Sequence, residues 1–481
     1  MDAQGIRDRR EEEIVIPARR VQLSFADGLI AEQVDDLWEP WMRHADQALN
    51  DDRLLAIMQT AWSKLCKKSK TRGRPGTPAE IILRLLLLKH IRDWSYEELA
   101  REVRANLVYR EFTRIGGGKV PDDKSISRFG RQLGPEVIEQ LHQRVVAIAR
   151  ENNVVQGRKL RVDTTVVETN IHYPTDSTLL SDGVRVLTRV MKKVTAVAGK
   201  VGSELRDRTR SVKRRLLEIV RASRDKSQKG QQKLKTAYGS LLASVTRVVG
   251  QARRFSAQIT SRIKRGNRAV LRKARRQLDE IIPLVQQVIR QTRQRIMGGD
   301  TRAEGKIVSL FEPQTEVIRK GKAGKPTEFG KLVKIQEAEN QIVTHYTVFD
   351  QRPSDSELLI PSLEQHQFLF GDVPTMATAD AGFFSAVNEA RAEQMGVKWV
   401  AVPSRSTKSS PRRQRQKKRW FKKAMRWRTG CEGRISVLKR RHGLSRSRYK
   451  GTDGMKRWVG LGVIADNVIN IARSMAPSPR S

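Results

Sequence analysis

Three acidic residues lie where a carboxylate could take part in chemistry. Asp163 stands in the middle of residues 158–170, a segment rich in Val and Thr that is typical of a buried strand. Asp380 ends an apolar run before an Ala-Gly turn, and Glu432 lies on a predicted helix rich in cations. An acid within a buried strand is costly unless it is paired or binds a metal ion. Three carboxylates brought together could hold two hard divalent ions, which stabilise the attacking and leaving oxygens of a phosphoryl transfer.

Two cations share the predicted helix with Glu432. Arg428 precedes it by four residues and Lys439 follows it by seven, which places all three side chains on one helical face. In that arrangement Glu432 would bind metal while Arg428 and Lys439 hold flanking phosphates. The alternative interpretation is a surface ion pair between Arg428 and Glu432.

The positive charge of the chain is concentrated in two segments. The formal net charge is +42 over 481 residues; residues 184–300 contribute +24, residues 401–450 contribute +18, and the rest is neutral. This pattern predicts a polyanionic partner, nucleic acid before a membrane surface, and argues against small-molecule metabolism. The candidates for contacts with DNA phosphates are Arg412, Arg413, Arg415, Lys417, Lys418, Arg419, Arg428, Arg434 and Lys439. Trp420 and Trp427 could stack on an exposed base or pack in the core.

The elements that must position these residues form an α/β core with two additions. Helical periodicity predicts an all-α N-terminal domain, either a helix-turn-helix arrangement or a plain bundle. After the first core strand comes a basic insertion of about four helices, and strands and helices then alternate. The predicted boundaries are a tail at 1–28, the helical domain at 29–152, the first part of the core at 153–183, the insertion at 184–300, the rest of the core at 301–475 and a tail at 476–481. Within the last part, residues 306–312 are predicted to form a strand and residues 404–423 a basic loop.

Composition excludes several other classes of protein. Two cysteines, Cys66 and Cys431, cannot form a disulfide framework or a thiolate zinc site. The longest dense apolar run, residues 81–88, contains Arg84 and is too short to span a bilayer. The first 20 residues are charged throughout, so we expect no secretory signal and a cytoplasmic protein.

The segments around the three acids resemble those of the DDE transposases of bacterial insertion sequences, which share an RNase H-like catalytic fold. RVDTTVVETNIHYPTDSTLLSDGVRVLTR (161–189) is similar to the family's segment around its first Asp, and MATADAGF (376–383) to the segment around its second. Arg428, Glu432 and Lys439 fit the family's Tyr-Arg-Glu-Lys signature, whose Tyr position is occupied here by Met425. The N-terminal region also looks like the family's helical domain.

This resemblance implies a function and a set of partners. Asp163, Asp380 and Glu432 would be catalytic and would bind two Mg²⁺ ions, or Mn²⁺ in their place. Water would hydrolyse DNA at the terminal inverted repeats of an element, and the freed 3′-hydroxyls would attack target DNA without a covalent protein intermediate. Such an enzyme would work as a homodimer or higher oligomer on double-stranded DNA, in association with the bacterial nucleoid.

Two other functions are compatible with the same residues. A metal-dependent nuclease or resolvase with this fold would cleave DNA without joining it. An architectural DNA-binding protein would use the basic segments alone, although the three intact acids argue against it. The insertion could follow terminal-repeat DNA, build a dimer, or do both.

Overall fold

The computed structural model describes residues 17–20, 25–65, 76–198, 205–259, 267–319, 326–405 and 407–476. The chain divides into two compact units. Unit 1 consists of Met1–Asn170 and Lys331–Ser481, and unit 2 of Ile171–Gly330. Within the described residues, every helix is too short or too polar to cross a membrane.

In the described part of unit 1, eight α-helices precede the first strand, as the helical periodicity of this region predicts. They are α1 (Phe25–Val34), α2 (Pro40–Leu49), α3 (Asp52–Leu65), α4 (Ala79–Ile91), α5 (Tyr96–Ala105), α6 (Leu107–Phe112), α7 (Asp123–Gln132) and α8 (Pro135–Glu151). A capping box is present at the start of α5, where Ser95 and Glu98 each bond the other's backbone N–H. All residues of α4 are buried, including the charged side chains of Glu80, Arg84 and Lys89.

The sheet of unit 1 contains parallel and antiparallel pairs. Its strands are β1 (Lys159–Glu168), the second part of β3 (Thr327–Glu337), β4 (Val343–Val348), β5 (Met376–Ala379) and β6 (Trp399–Ala401). Their order is β4-β3-β1-β5-β6, with β1, β5 and β6 parallel and β4 antiparallel to β3. The central strand is β1, the strand that carries Asp163.

Helices cover both faces of this sheet. They are α13 (Leu359–Phe370), α14 (Ala386–Gln394), α15 (Ser410–Lys417), α16 (Arg419–Arg441) and α17 (Gly451–Met475). Leu160 and Val162 of β1 point to one face and pack with Leu359 and Leu363 of α13. Residues of α16 contact β1, β5 and β6 from the other face. The unit is therefore a helix-rich α/β structure around a mixed sheet.

Unit 2 is mainly helical. It contains α9 (Asp176–Ala198), α10 (Thr209–Ala222), α11 (Gln228–Ile259) and α12 (Arg268–Gly298), followed by β2 (Glu316–Arg319), which pairs antiparallel with Thr327–Gly330 of β3. Leu, Val and Ile side chains from the four helices form one core. Gly183 permits close packing of α9 on α12, because a Cβ there would lie 2.8 Å from a methyl of Val285.

Residues 306–312, predicted as a strand, form irregular structure in unit 2. Ile307 and Leu310 are buried against the helical core. The side chain of Gln291 on α12 donates to the Ile307 carbonyl at 2.9 Å and accepts from its N–H at 3.1 Å. A glutamine side chain thus supplies the backbone hydrogen bonds that a neighbouring strand would otherwise supply.

Residues 404–423, predicted as a loop, are largely helical where they are described. Pro411 lies in the first turn of α15, a position that suits its fixed φ, and α16 already begins at Arg419. Arg412 and Arg415 of α15 form ion pairs with Glu389 of α14. These contacts with an acidic neighbour stabilise a helix that its own like charges disfavour.

Candidate active site

Asp163 lies on β1, and Asp380 directly follows the neighbouring parallel strand β5. The last register pair between β1 and β5 is Val162 with Ala379, so the two acids occupy the next position along the chain on each side. The preceding pair, Arg161 and Thr378, points toward α16, since these side chains contact Trp427 and Met425 of that helix. Side chains alternate along a strand, so Asp163 faces α16 as well, and its carboxylate approaches Arg428 of that helix.

The turn after β5 fixes the conformation of Asp380. Its backbone is extended (φ −77°, ψ 176°), and its carboxylate accepts a hydrogen bond of 2.8 Å from the N–H of Gly382. This bond caps a short 3₁₀ helix, Ala381–Phe383, as Asp commonly does. The carboxylate is therefore held at the end of the strand while remaining partly exposed.

Glu432 reaches the same region from α16 through Arg428. One nitrogen of the Arg428 guanidinium lies 2.7 Å from Glu432 Oε1, and another lies 3.9 Å from Asp163 Oδ2. The ion pair of the alternative interpretation is thus present, but the same guanidinium also faces Asp163. The Glu432 side chain is 60% exposed and that of Asp163 only 14%. A single cation consequently connects two of the predicted catalytic acids.

A buried arginine attaches α16 to the sheet beneath the acids. Arg161 lies two residues before Asp163 and pairs through two nitrogens with both carboxylate oxygens of Glu337 on β3. It also donates to the Trp427 carbonyl of α16, and its guanidinium lies 4.7 Å from the centre of the Trp427 ring. Burial raises the pKa of Glu337 above its usual value, while Arg161 opposes this shift.

A fourth acid, Asp355, lies beside the turn that holds Asp380. Its Oδ1 accepts a 3.2 Å hydrogen bond from Thr164 on β1. A Cβ on Gly382 would lie 3.1 Å from Asp380 Oδ1 and 3.2 Å from Asp355 Oδ2, so both carboxylates lie beside this glycine. Asp355 thus packs on the opposite side of the strand ends from α16.

The carboxylates of the predicted acids are suitable ligands for a hard divalent ion, although they are not close enough together to form a metal site. Across the described ranges, no group of three or more His, Cys, Asp or Glu side chains is arranged to hold a metal ion. The carboxylates of Asp163, Asp380 and Glu432 nevertheless offer the oxygen ligands that Mg²⁺ and Mn²⁺ prefer. Metal binding by all three would require Glu432 and Arg428 to change conformation, which the exposure of Glu432 permits.

Several of the predicted phosphate-binding cations have partners within the protein. Arg412 pairs with Glu389, donates to the Val402 carbonyl and lies over the Phe384 ring. Arg415 pairs with Glu389 and Glu393. The two side chains hold α15 against α14, and Arg412, only 10% exposed, has little surface to offer a phosphate.

Arg434 was also expected to contact DNA, but the structure places it in the interior. Its side chain is 6% exposed and pairs with Asp466 of α17, itself 1% exposed. A charge buried in this way is held by its partner and stabilises the packing of α16 on α17. The expected DNA contact is therefore incompatible with this structure.

The remaining cations in this region are accessible. Lys439 lies in the last turn of α16, at a cleft described below. The exposed members of the predicted set on α15 and at its junction with α16 are Arg413, Lys417, Lys418 and Arg419. Trp420 packs against Trp399, and Trp427 against Arg161, so both indoles have contacts within the protein.

The sequence interpretation missed Arg161, Glu337 and Asp355. The sequence could have pointed to Arg161, which lies between the apolar residues Leu160 and Val162 of a predicted buried strand. A cation buried there requires an acidic partner. Glu337 and Asp355 gave no such signal. Glu337 lies at the end of an ordinary strand, and Asp355 lies within a Ser354–Glu357 capping box that explains the local acids without a site.

Two family models match this chain, one on either side of unit 2's helices. A transposase domain (DUF772) matches residues 42–132, and a transposase DDE domain matches residues 304–468. Together these matches cover more than half of the chain and include Asp355, Asp380 and Glu432.

One curated relative shares part of the sequence. The uncharacterized protein ORF8 in the nfe locus of Rhizobium meliloti is 31% identical over 127 residues, which is 25% of this chain and 61% of that protein. The chain thus spans less than two thirds of the length of this relative. No solved structure matches the chain. From the two domain matches and the paired strand-end aspartates, the chain belongs to the DDE transposases of insertion sequences, a family of enzymes.

Proposed function

We propose that this protein cleaves DNA at the ends of an insertion sequence and joins the freed 3′-hydroxyls to target DNA. The observation that carries the proposal is the placement of Asp163 on β1 and of Asp380 directly after the neighbouring strand β5, with Arg428 of α16 connecting Asp163 to Glu432. The strand order β4-β3-β1-β5-β6 supports an RNase H-like core around these acids.

Asp163, Asp380 and Glu432 are the residues that would hold two divalent ions, Mg²⁺ or Mn²⁺. When bound, such ions activate water and stabilise charge on the attacking and leaving oxygens of a phosphodiester. The separation of the acids along the chain is not an obstacle, because β1 and β5 are neighbouring parallel strands and Arg428 of α16 connects Asp163 to Glu432.

The protein's own cations then orient the DNA. Arg428 is positioned to exchange its carboxylate partners for a phosphate when the acids bind metal, because a guanidinium binds either group through two parallel hydrogen bonds. The exposed cations between α15 and α16 supply further contacts, which draw DNA to the site independently of its sequence. Arg161 keeps α16 over β1 while these exchanges occur.

The substrate and assembly follow from the same chemistry. A transposase must hold two terminal inverted repeats and a target, so we propose a homodimer or higher oligomer acting on double-stranded DNA in the bacterial cytoplasm. The basic helices of unit 2 would bind terminal-repeat DNA, pack against another copy, or do both.

A single reaction separates this function from its alternatives. The purified chain is incubated with Mg²⁺ or Mn²⁺, a DNA fragment carrying both flanks of its own gene, and a supercoiled target plasmid. A transposase yields cleaved ends and joined products, a nuclease or resolvase yields cleavage alone, and an architectural protein yields a gel shift alone.

The variant Asp163→Ala tests whether the metal site is responsible. It should abolish cleavage and joining while the gel shift remains, because the DNA-binding cations are unaltered. Asp372→Ala, which removes an exposed acid four residues before β5, is the matched control and should react like the wild type. Joining by Asp163→Ala at the wild-type rate would refute the proposed catalytic role.

A further inference from the structure

A basic cleft of about 470 Å³ lies at the C-terminal end of α16, within unit 1. It is lined by Asp93, Asn170, Lys439, Arg440, Gly443, Ser445, Arg446 and Arg448. Four of these residues are cations and one is an acid, so the cleft has an excess of positive charge. With the exception of Lys439, these residues are outside the set predicted from the sequence to contact DNA.

One wall of the cleft is a segment whose cations alternate with buried residues. Arg446 and Arg448 are exposed, whereas Ser447 and Tyr449 are buried. The segment pairs with the C-terminal end of β1. The N–H of Ser447 donates to the Glu168 carbonyl at 2.8 Å, and the N–H of Glu168 donates to the Ser445 carbonyl at 3.2 Å. Its arginines are therefore presented on the same side by a fixed backbone.

A glycine and an indole hold the bend before this segment. Gly443 has φ +76°, and a Cβ there would lie 2.7 Å from the Trp458 ring. The Trp458 indole N–H donates to the Gly443 carbonyl at 2.8 Å. This anchoring limits the entropy lost when a ligand binds the cleft, because the backbone is already ordered.

The acids near the cleft neutralise only part of its charge. Arg446 pairs with Glu168 at 3.1 Å and Arg448 with Asp93 at 3.2 Å, yet the arginine side chains remain 51% and 45% exposed. Such exposed pairs are weak and exchange readily for an anionic ligand. Arg440 is also exposed at the end of α16.

The cleft is connected to the catalytic acids by two rigid elements. Lys439 follows Glu432 by seven residues of α16, or roughly 10 Å along the helix. Glu168 follows Asp163 by five residues of β1, or roughly 17 Å along the strand. Because one strand of B-DNA carries a phosphate for about every 3.4 Å of axis, this separation corresponds to roughly three to five phosphates.

We propose that this cleft binds backbone phosphates of the DNA strand whose reacting phosphodiester lies at Asp163 and Asp380, roughly three to five nucleotides away. The proposal rests on the proposed function for the position of the reacting phosphodiester. Phosphate is the ligand because the lining consists of guanidinium, ammonium, amide and hydroxyl donors, which bind anionic oxygens regardless of base sequence.

The test measures DNA affinity of the full chain by fluorescence anisotropy across a series of NaCl concentrations. The double variant Arg446→Gln/Arg448→Gln should lower the slope of log K against log[salt] by roughly 1 to 2, since each lost phosphate contact contributes roughly 0.9. Lys450→Gln is the matched control, because it removes an exposed cation of the same segment that does not line the cleft. A double variant with the slope and affinity of Lys450→Gln would overturn the proposal.

A second measurement uses the wild-type protein, so it does not depend on how the variant folds. Uncharged methylphosphonates replace single phosphates along the transferred strand. Affinity should fall at positions roughly three to five nucleotides from the cleavage site, and this loss should be absent in the double variant. Unchanged wild-type affinity at every position in that window would contradict the cleft assignment.

The salt-slope outcome is independent of the catalytic assignment. Asp163→Asn tests that assignment, and it should lose the reaction while retaining the wild-type salt slope. If the wild-type protein did not join DNA, the proposed function would fail; if Asp163→Asn still joined DNA, the catalytic role of Asp163 would fail; in either case the salt slope would continue to test the cleft.

Discussion

Arg428 is the residue that most directly connects the predicted acids. Its guanidinium lies between Asp163, which is mostly buried, and Glu432, which is mostly exposed. In the absence of metal this cation offsets the repulsion between the carboxylates. Divalent ions compete for the same oxygens, so metal binding and the Arg428 ion pairs oppose each other.

We predict that Arg428→Gln binds Mn²⁺ more tightly than the wild type in the absence of DNA, while cleaving DNA more slowly. The affinity should rise about five- to tenfold, because an ion pair of this exposure is worth about 1 kcal/mol. Calorimetric titration of Mn²⁺ measures the first effect and a cleavage assay the second. Arg426→Gln removes an exposed cation from the same helix and should leave Mn²⁺ affinity unchanged. Weaker metal binding by Arg428→Gln would show that Arg428 supports the metal site instead of competing with it.

At the scale of single residues, spacing predicted which side chains share a face but not which partners they meet. The four-residue interval between Arg428 and Glu432 was sufficient to predict their contact. Arg412 and Arg434 are part of an equally basic sequence, yet they pair with Glu389 and Asp466 from other helices. Their acidic partners are distant in the chain, so the charge pattern alone could not reveal them.

The position of α16 over the sheet depends on a close approach at Gly430. A Cβ at this residue would lie 2.3 Å from Arg161 Nη1. The guanidinium cannot swing aside freely, since it is bound to Glu337 and to the Trp427 carbonyl in the interior. Gly433, three residues further along the same helix, would have no atom within 4 Å of an added Cβ.

Gly430→Ala and Gly433→Ala should therefore change stability in opposite directions. The first should lower the free energy of unfolding by about 2 kcal/mol, because it disrupts a buried charge pair and its hydrogen bonds. The second should raise it by about 0.5–1 kcal/mol, the usual gain when alanine replaces a helical glycine. Urea denaturation of the two variants measures both values. Equal stabilisation by both substitutions would show that Arg161 does not hold α16 in the way described.

At the scale of elements, hydrophobic periodicity predicted most of the architecture. It indicated a helical domain at 29–152, which the structure begins earlier with α1 at Phe25, together with the strand bearing Asp163 and about four helices in the basic insertion. It failed where side chains replaced backbone partners, as Gln291 does for Ile307. It also failed at residues 410–417, where the loop prediction followed from charge and the helix depends on acids of α14.

The interior of unit 1 contains a lysine surrounded by aromatic rings. Lys89 of α4 lies 4.4 Å from the Trp458 ring centre and 5.1 Å from that of Tyr96. Its ammonium is buried and has no hydrogen-bond partner among the described residues. Burial lowers the pKa of Lys89 from 10.5 to about 7, because the charged form is poorly solvated there.

Because of this lowered pKa, the free energy of unfolding should depend on pH between 7 and 10.5. Between pH 7 and pH 10.5 the unfolded chain binds a proton at Lys89 that the folded chain does not, so stability rises with pH. Above pH 10.5 Lys89 is neutral in both states and does not destabilise the fold. As the pH falls from 10.5 to 7, the free energy of unfolding decreases by about 1.4 kcal/mol per pH unit. Lys89→Met should be more stable than the wild type at pH 7, by an amount that shrinks toward pH 10. Urea denaturation at four pH values measures the difference, and a constant difference would contradict the assignment.

At the scale of the whole molecule, the net positive charge is confined to two segments of the chain. Residues 184–300 and 401–450 contain the entire excess of +42, the first in the helices of unit 2 and the second around α15 and α16 of unit 1. Glu432 is the one acid in the second segment. The sequence thus predicted which segments are basic, whereas the cleft beside Arg446 and Arg448 depends on a backbone pairing with β1 that no local pattern predicted.

The central claim is that Asp163, Asp380 and Glu432 act together in one metal-dependent reaction. The most direct test replaces each acid by its amide, as Asp163→Asn, Asp380→Asn and Glu432→Gln, and measures joined DNA product in Mg²⁺ and Mn²⁺. Each variant should lose more than about 100-fold in product while binding DNA normally, because even outer-shell changes at metal sites cost 10- to 100-fold. Asp372→Asn should react like the wild type. Substantial joining by any one of the three amide variants would contradict the account.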